Sequence, residues 1–279
     1  MRSYLYVPGD KPDLIAKARG LSGSNQPDAL LLDLEDAVAA PHKAVARANI
    51  AALTAAPRSN VGPLLFVRIN AGEVGLADAV AVAGPGLAGV CVPKASTLAL
   101  HQVGRVFADL DLRVAIIALV ETAAGMCEIR TIAESSGVTR LALGEADLCS
   151  ELGISPGADH ALWPLRMAAV VASAAARIEP PIGPISTDFR NLDQFSASSE
   201  LLLQAGFSAR QAIHPAQVPI INHIMQPSAD VLAAAAKTVA LYEAATTAGR
   251  GVIVDADGRM LDEAVVRAAR RLLSLSESA

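Results

Sequence analysis

Residues 114–147 read VAIIALVETAAGMCEIRTIAESSGVTRLALGEAD. The apolar run Val114–Val120 stops abruptly at Glu121-Thr122. A stretch of helix formers, Ala123–Ser135, follows, and a second apolar run, Arg140–Leu143, stops at Gly144-Glu145-Ala146-Asp147. Neither run alternates apolar with polar residues. Each therefore predicts a strand covered on both faces, as in a parallel sheet. Strand, helix and strand in roughly 30 residues make one βαβ unit.

The unit recurs along the chain. Further strands are predicted at Ser3–Val7, Ala29–Leu34, Leu64–Ile69, Ala88–Val92, Ile182–Ser186 and Ala209–Ile213. Helical segments are predicted at Pro12–Leu21, His42–Ala55, Leu76–Val82, Thr97–Asp109, Asp159–Ile178 and Leu192–Ala205. Eight strands alternating with helices favour closure into a (β/α)8 TIM barrel over an open sheet. Pro180, Pro181 and Pro184 crowd the seventh strand, and proline brings no N–H to a ladder. After the eighth strand the pattern changes. Val231–Thr246 reads as a long helix, Gly251–Val254 as a short strand, Asp257-Gly258 as a turn, and Asp262–Leu273 as a last helix. The predicted organisation is a catalytic barrel over 1–225 and a helical and hairpin extension over 226–279. The extension would serve as a cap or as an arm packing on a neighbouring subunit.

Composition agrees. The chain has 279 residues, 52% hydrophobic and only 3% aromatic, and its small and β-branched residues suit layered packing inside a barrel. Length alone suggests two domains at ~150 residues each, but barrels of ~250 residues run as one. A net charge of −5 without a basic stripe argues against nucleic acid as a partner. The opening MRSYLYVPGDKPD lacks the apolar core of a secretory signal. His160–Ile178 is apolar but carries His160, Pro164, Arg166 and Arg177, and reads as a buried helix instead of a membrane span. Cys91, Cys127 and Cys149 form no CxxC pair or zinc spacing, which fits a reduced cytoplasm.

The polar residues fall in a pattern. The strands end in Asp33-Leu34-Glu35-Asp36, Arg68-Ile69-Asn70, Pro93-Lys94, Glu121-Thr122, Gly144-Glu145-Ala146-Asp147, Thr187-Asp188 and His214-Pro215. In a barrel these ends converge on the face that carries catalysis. Glu121 and Asp147 follow adjacent strands, and two neighbouring carboxylates repel unless a cation or shared proton intervenes. Oxygen ligands without a His or Cys cluster suit Mg²⁺ or Mn²⁺. The competing reading is that each caps the helix that follows. Arg68 matches a substrate carboxylate or enolate bidentately, or pairs with Glu35 or Asp36. Lys94 reads as a Schiff-base lysine or a solvated charge. His214 reads as a packed residue before proline, and Asp262 as a helix cap.

These residues lie in blocks that resemble a known family. The blocks are Arg2–Asp10, Leu32–Val38, Val67–Asn70, Val92–Lys94, Leu119–Gly125, Leu141–Leu148, Ala212–Pro215 and Asp257–Asp262. In order and content they resemble the CitE-like proteins of the HpcH/HpaI aldolase and citrate lyase β-subunit superfamily. The resemblance implies a barrel, Mg²⁺ and a coenzyme A thioester substrate that yields a small keto acid. It implies that Glu121 and Asp147 are metal ligands and that Arg68 holds the substrate carbonyl and carboxylate. Glu35 and Asp36 would support metal-bound water and orient that arginine, with Lys94 at the cofactor. Asp262 would be the acid/base group, often delivered from a neighbouring subunit of a trimer or hexamer. The expected activity is cleavage or formation of a carbon–carbon bond in a malyl-CoA or citramalyl-CoA type thioester. The alternatives are a pyruvate-releasing aldolase, a malyl-CoA thioesterase, a citrate lyase β subunit, and a non-catalytic binding subunit. One departure stands out: Glu145 occupies a position where relatives often carry a small hydroxyl residue. An extra carboxylate there would tune the metal or exclude an anionic substrate.

Overall fold

The computed structural model describes residues 1–58, 61–155, 158–247, 253–254, 258 and 260–277. The chain divides into two compact units, Arg2–Ile224 and Met225–Ala279, the second including Met1.

The first unit is a closed barrel of eight strands in sequential order. They are β1 (Ser3–Pro8), β2 (Ala29–Asp33), β3 (Leu64–Arg68), β4 (Leu87–Val92), β5 (Ala115–Val120), β6 (Val138–Leu143), β7 (Ile182–Gly183) and β8 (Ala209–Ala212). Every neighbouring pair is parallel, and β8 closes on β1 through Ser3 and Arg210. The helices of this unit are α1 (Pro12–Arg19), α2 (Lys43–Thr54), α3 (Gly72–Val82), α4 (Thr97–Asp109), α5 (Ala123–Cys127), α6 (Ile129–Ala133), α7 (Glu145–Leu152), α8 (Asp159–Ala176), α9 (Leu192–Gln204) and α10 (Val218–Ile224). β2 and β4 are buried along their whole length, as continuous apolar runs require. Inside the barrel Phe66 takes the volume that a side chain at Gly89 would need: a Cβ there would lie 2.4 Å from its ring.

Three local expectations needed correction. The seventh strand shrinks to Ile182–Gly183, because the flanking prolines cannot extend the ladder. Buried Arg210 strengthens this joint: its Nε donates to the Pro184 carbonyl at 3.1 Å and its Nη1 to the Phe195 carbonyl at 2.9 Å. The single helix expected over Ala123–Ser135 is two short ones, interrupted at Glu128, whose φ of −98° and ψ of 7° leave the helical basin. Helix α7 was not foreseen. Leu148 is its only buried residue, so it carries no apolar stripe to read.

The second unit holds α11 (Ala229–Thr247), a two-stranded antiparallel hairpin of β9 (Ile253–Val254) and β10 (Met260–Leu261), and α12 (Glu263–Glu277). Helices α11 and α12 pack on one another, with Arg270 Nη2 3.1 Å from Glu243 Oε1. Gly251, Val252 and Asp257 of the expected strand and turn lie outside the described residues. Among the described residues no helix is long and apolar enough to cross a membrane.

Candidate active site

The C-terminal ends of the strands surround a cavity of about 350 Å³, lined by Tyr6, Asp33, Arg68, Glu121, Asp147 and Gln211 among others. A larger hollow of about 870 Å³ lies beside the N-terminal starts of β5 and β6. Among the described residues Asp111 is the only carboxylate lining it. By chemistry and by position the cavity at the strand C-termini is the site.

Arg68 closes β3 and sits in register opposite Asp33, which closes β2. Their side chains form a two-pronged pair, Nε to Oδ1 at 2.7 Å and Nη2 to Oδ2 at 2.5 Å. The fully buried Asp33 carboxylate also accepts the Glu35 N–H at 2.9 Å and the Ala37 N–H at 3.0 Å. The expected partners of Arg68, Glu35 and Asp36, are secondary. Its Nη1 lies 2.9 Å from Glu35 Oε2 and 3.3 Å from Asp36 Oδ2. Sequence reasoning left Asp33 without a role, although its place at a strand end next to Arg68 was the available signal. The guanidinium lies over the Tyr6 ring, 5.0 Å from its centre. Burial opposes the charge on Arg68, but hydrogen bonding to Asp33, Tyr6 and the nearby acids outweigh it and raise its pKa. Arg68 is a permanent cation.

Glu121, only 4% exposed, follows β5. Gly144 makes room for it: a Cβ there would lie 2.5 Å from Glu121 Cβ and 2.6 Å from its Oε2. Glu121 Oε1 accepts the Lys94 backbone N–H at 2.8 Å. Lys94 presents that N–H from a left-handed conformation, φ 45°, which is uncommon for a residue with a side chain and recurs at functional sites. Burial pushes the Glu121 carboxyl up to about 7, against the Lys94 hydrogen bond, and the charges of Glu35 and Asp147 add to the rise.

Lys94 Nζ bridges the acids, 3.4 Å from Glu35 Oε1 and 4.0 Å from Glu121 Oε1. Partial burial lowers its pKa, but Glu35 and Glu121 win and raise it. A lysine held as an ammonium is a poor Schiff-base nucleophile, which argues against that role for Lys94. Burial raises the Glu35 pKa, opposed by Arg68. Glu35 Oε2 is buried and, among the described residues, accepts no hydrogen bond, despite its nearness to Arg68 Nη1.

Asp147 stands in the first turn of α7. It is exposed to the cavity, and among the described residues its carboxylate makes no hydrogen bond or ion pair. Among the described residues, and leaving aside Glu145, which pairs with Arg166, the mouth thus gathers Asp33, Glu35, Asp36, Glu121 and Asp147 against Arg68 and Lys94, five carboxylates to two cations. Among the described residues no three of His, Cys, Asp and Glu form a protein-only metal cage. A hard cation that keeps several waters needs just one or two carboxylates, and this surplus of negative charge with free oxygens fits one.

The remaining expectations resolve differently. Glu145 also lines the cavity but pairs with Arg166, Oε1 to Nε at 2.6 Å and Oε2 to Nη2 at 2.8 Å, so its charge is offset there. His214 Nδ1 accepts the Ala216 N–H at 3.2 Å, and its ring stacks on Phe189 at 5.1 Å: hydrogen-bonded as expected, but exposed instead of packed. Cys91 is buried and its thiol pKa is pushed far up by that burial. Asp262 belongs to the second unit, where its Oδ1 caps α12 by accepting the Val265 N–H at 3.0 Å.

Fold and mouth together define a class: barrel enzymes that assemble a cation and an anionic substrate at the strand C-termini. The chain belongs to the HpcH/HpaI aldolase/citrate lyase family, whose pattern matches residues 2–215. It is 32% identical over 99% of its length to a (3S)-malyl-CoA thioesterase of Cereibacter sphaeroides, covering 95% of that protein. It is 29% identical to an L-malyl-CoA/beta-methylmalyl-CoA lyase of the same species, covering 99% of this chain and 94% of that one. Its fold matches CitE from Mycobacterium tuberculosis, determined with magnesium, acetoacetate and coenzyme A. The TM-score is 0.75 at 25% identity, over 99% of this chain and 98% of that one.

Proposed function

We propose that this protein is a Mg²⁺-dependent carbon–carbon lyase acting on coenzyme A thioesters of hydroxy dicarboxylic acids, of the malyl-CoA or citramalyl-CoA type. The observation that carries the reading is the mouth itself, where a clamped arginine faces more carboxylates than cations, Glu121 among them buried and Asp147 without a partner among the described residues. Glu121 and Asp147 would hold the ion, which would supply Lewis-acid stabilisation of the keto acid's carbonyl and carboxylate.

The protein's own groups do the rest. Arg68 uses Nε and Nη2 on Asp33 and keeps further N–H groups for the oxygen on which charge develops. Asp33 fixes the guanidinium plane before substrate arrives. Glu35, buried and of raised pKa, takes the substrate's hydroxyl proton as the adjacent C–C bond breaks. The bonding electrons pass into a thioester enolate, leaving an α-keto acid. Asp262, from a neighbouring subunit of a homotrimer or hexamer, protonates the enolate carbon to give the shorter thioester. Lys94 offsets the charges of Glu35 and Glu121 beside the cofactor. Three unpaired cysteines suit a reducing cytoplasm.

A second reading, thioester hydrolysis, is favoured by the higher identity to the thioesterase than to the lyase. Purified protein with Mg²⁺ and malyl-CoA or citramalyl-CoA separates the two. A lyase releases keto acid and acetyl-CoA in equal amounts with no free thiol. A hydrolase releases free thiol and the intact hydroxy acid. Turnover of neither thioester, or turnover unchanged by chelator, would overturn the proposal.

A further inference from the structure

Glu145 and Arg166 make a second two-pronged ion pair beside the mouth, and the mechanism above does not use it. Helix α7 carries Asp147 yet has little to hold it. It is 8 residues long, buries only Leu148, and starts at Gly144 without a side-chain cap. Two polar ties fix it to the barrel. At its far end Glu151 Oε2 accepts the Ala123 N–H at 3.0 Å. At its near end, two residues before Asp147, Glu145 grips the Arg166 fork at 2.6 and 2.8 Å.

Arg166 is itself immobilised. Its side chain is 8% exposed, its Nη2 lies 2.7 Å from Asp159 Oδ1, and its guanidinium covers the Trp163 ring at 4.8 Å. A planar fork held on three sides fixes both the position and the rotation of the carboxylate it binds. The first turn of α7, with Asp147 on it, is therefore tied to the long helix α8.

We propose that Glu145 is a positioning residue, and that its pair with Arg166 sets Asp147 in place for the divalent cation. The proposal rests on the reading that Glu121 and Asp147 hold that cation. It gives Glu145 a role opposite to repelling a substrate: its charge is consumed by Arg166, and its effect reaches the site only through Asp147.

Mn²⁺ alone, titrated into the full-length protein and followed by electron paramagnetic resonance, is the probe. Loss of a group that orients a metal ligand typically weakens affinity 10–100-fold. Glu145→Ala should raise the Mn²⁺ Kd by roughly that factor, and Arg166→Lys, which keeps charge but loses the fork, should act in the same direction. In an Asp147→Asn background the Glu145→Ala change should move the Kd less than about twofold, because its only route is already removed. Equal affinity of Glu145→Ala, Arg166→Lys and wild type overturns the proposal, as does an undiminished Glu145→Ala effect in the Asp147→Asn background. Should Glu145→Ala fail to fold, Arg166→Lys, with and without Asp147→Asn, is read by the same two criteria. Wild-type binding that is absent, or indifferent to Glu121→Gln, would refute the metal reading itself.

Discussion

Glu121→Gln should make the metal-free protein more stable at pH 8 while abolishing its metal binding. In the folded chain the Glu121 carboxyl is pushed from an ordinary value near 4.5 up to about 7. Between those values the folded state holds a proton that the unfolded state has released, so stability falls as pH rises through the window. At ~1.4 kcal/mol per pH unit, the penalty reaches about 3 kcal/mol by pH 8. Glutamine keeps the size and the acceptor for the Lys94 N–H and carries no charge, so the substitution removes the penalty at pH 8 and almost none at pH 4.5. For a chain of this size about 3 kcal/mol corresponds to a rise of roughly 5 °C in Tm. Thermal denaturation in chelator at both pH values measures it. Mg²⁺ should then stabilise wild type and not the variant, by about 2.7 kcal/mol at a hundredfold excess over Kd. A destabilised Glu121→Gln at pH 8, or an equal gain at both pH values, would refute the argument that a desolvated, crowded carboxylate awaits a cation here.

Arg68→Lys should lose at least a hundredfold in kcat with Mg²⁺ binding retained, since an ammonium cannot reproduce the fork to Asp33; near-normal turnover would reduce Arg68 to a structural ion-pair partner. Asp262→Asn should leave Tm nearly unchanged, because Asn caps a helix as well as Asp, while turnover falls by roughly 10²–10⁴ for loss of a general acid; unchanged turnover would leave Asp262 only its cap on α12.

What could be read from the sequence, and what could not, follows from the range of the forces involved. The barrel was legible because burial on both faces writes itself into continuous apolar runs, and eight of them leave few topologies. The convergence of Glu35, Arg68, Lys94, Glu121 and Asp147 was legible because strand ends of a closed parallel barrel must meet at one rim. Pairings between those residues were not, because they depend on register and on where each backbone turns. Asp33 and Arg68 find each other because β2 and β3 align them as Cα partners, a fact of stagger that no run of leucines encodes. Lys94 reaches Glu121 through its backbone, by a φ of 45° that its residue type disfavours. The partner of Glu145 was hidden for the same reason. Its charge was visible, but its partner lies 21 residues away on a helix whose rotation only packing decides. Sequence periodicity thus determines which elements form and at which end of them the chemistry gathers. Which partner each acid takes, Asp33 the guanidinium of Arg68, Glu145 that of Arg166 and Glu121 the Lys94 N–H, is settled by contacts of a few ångströms that appear only once the barrel is closed.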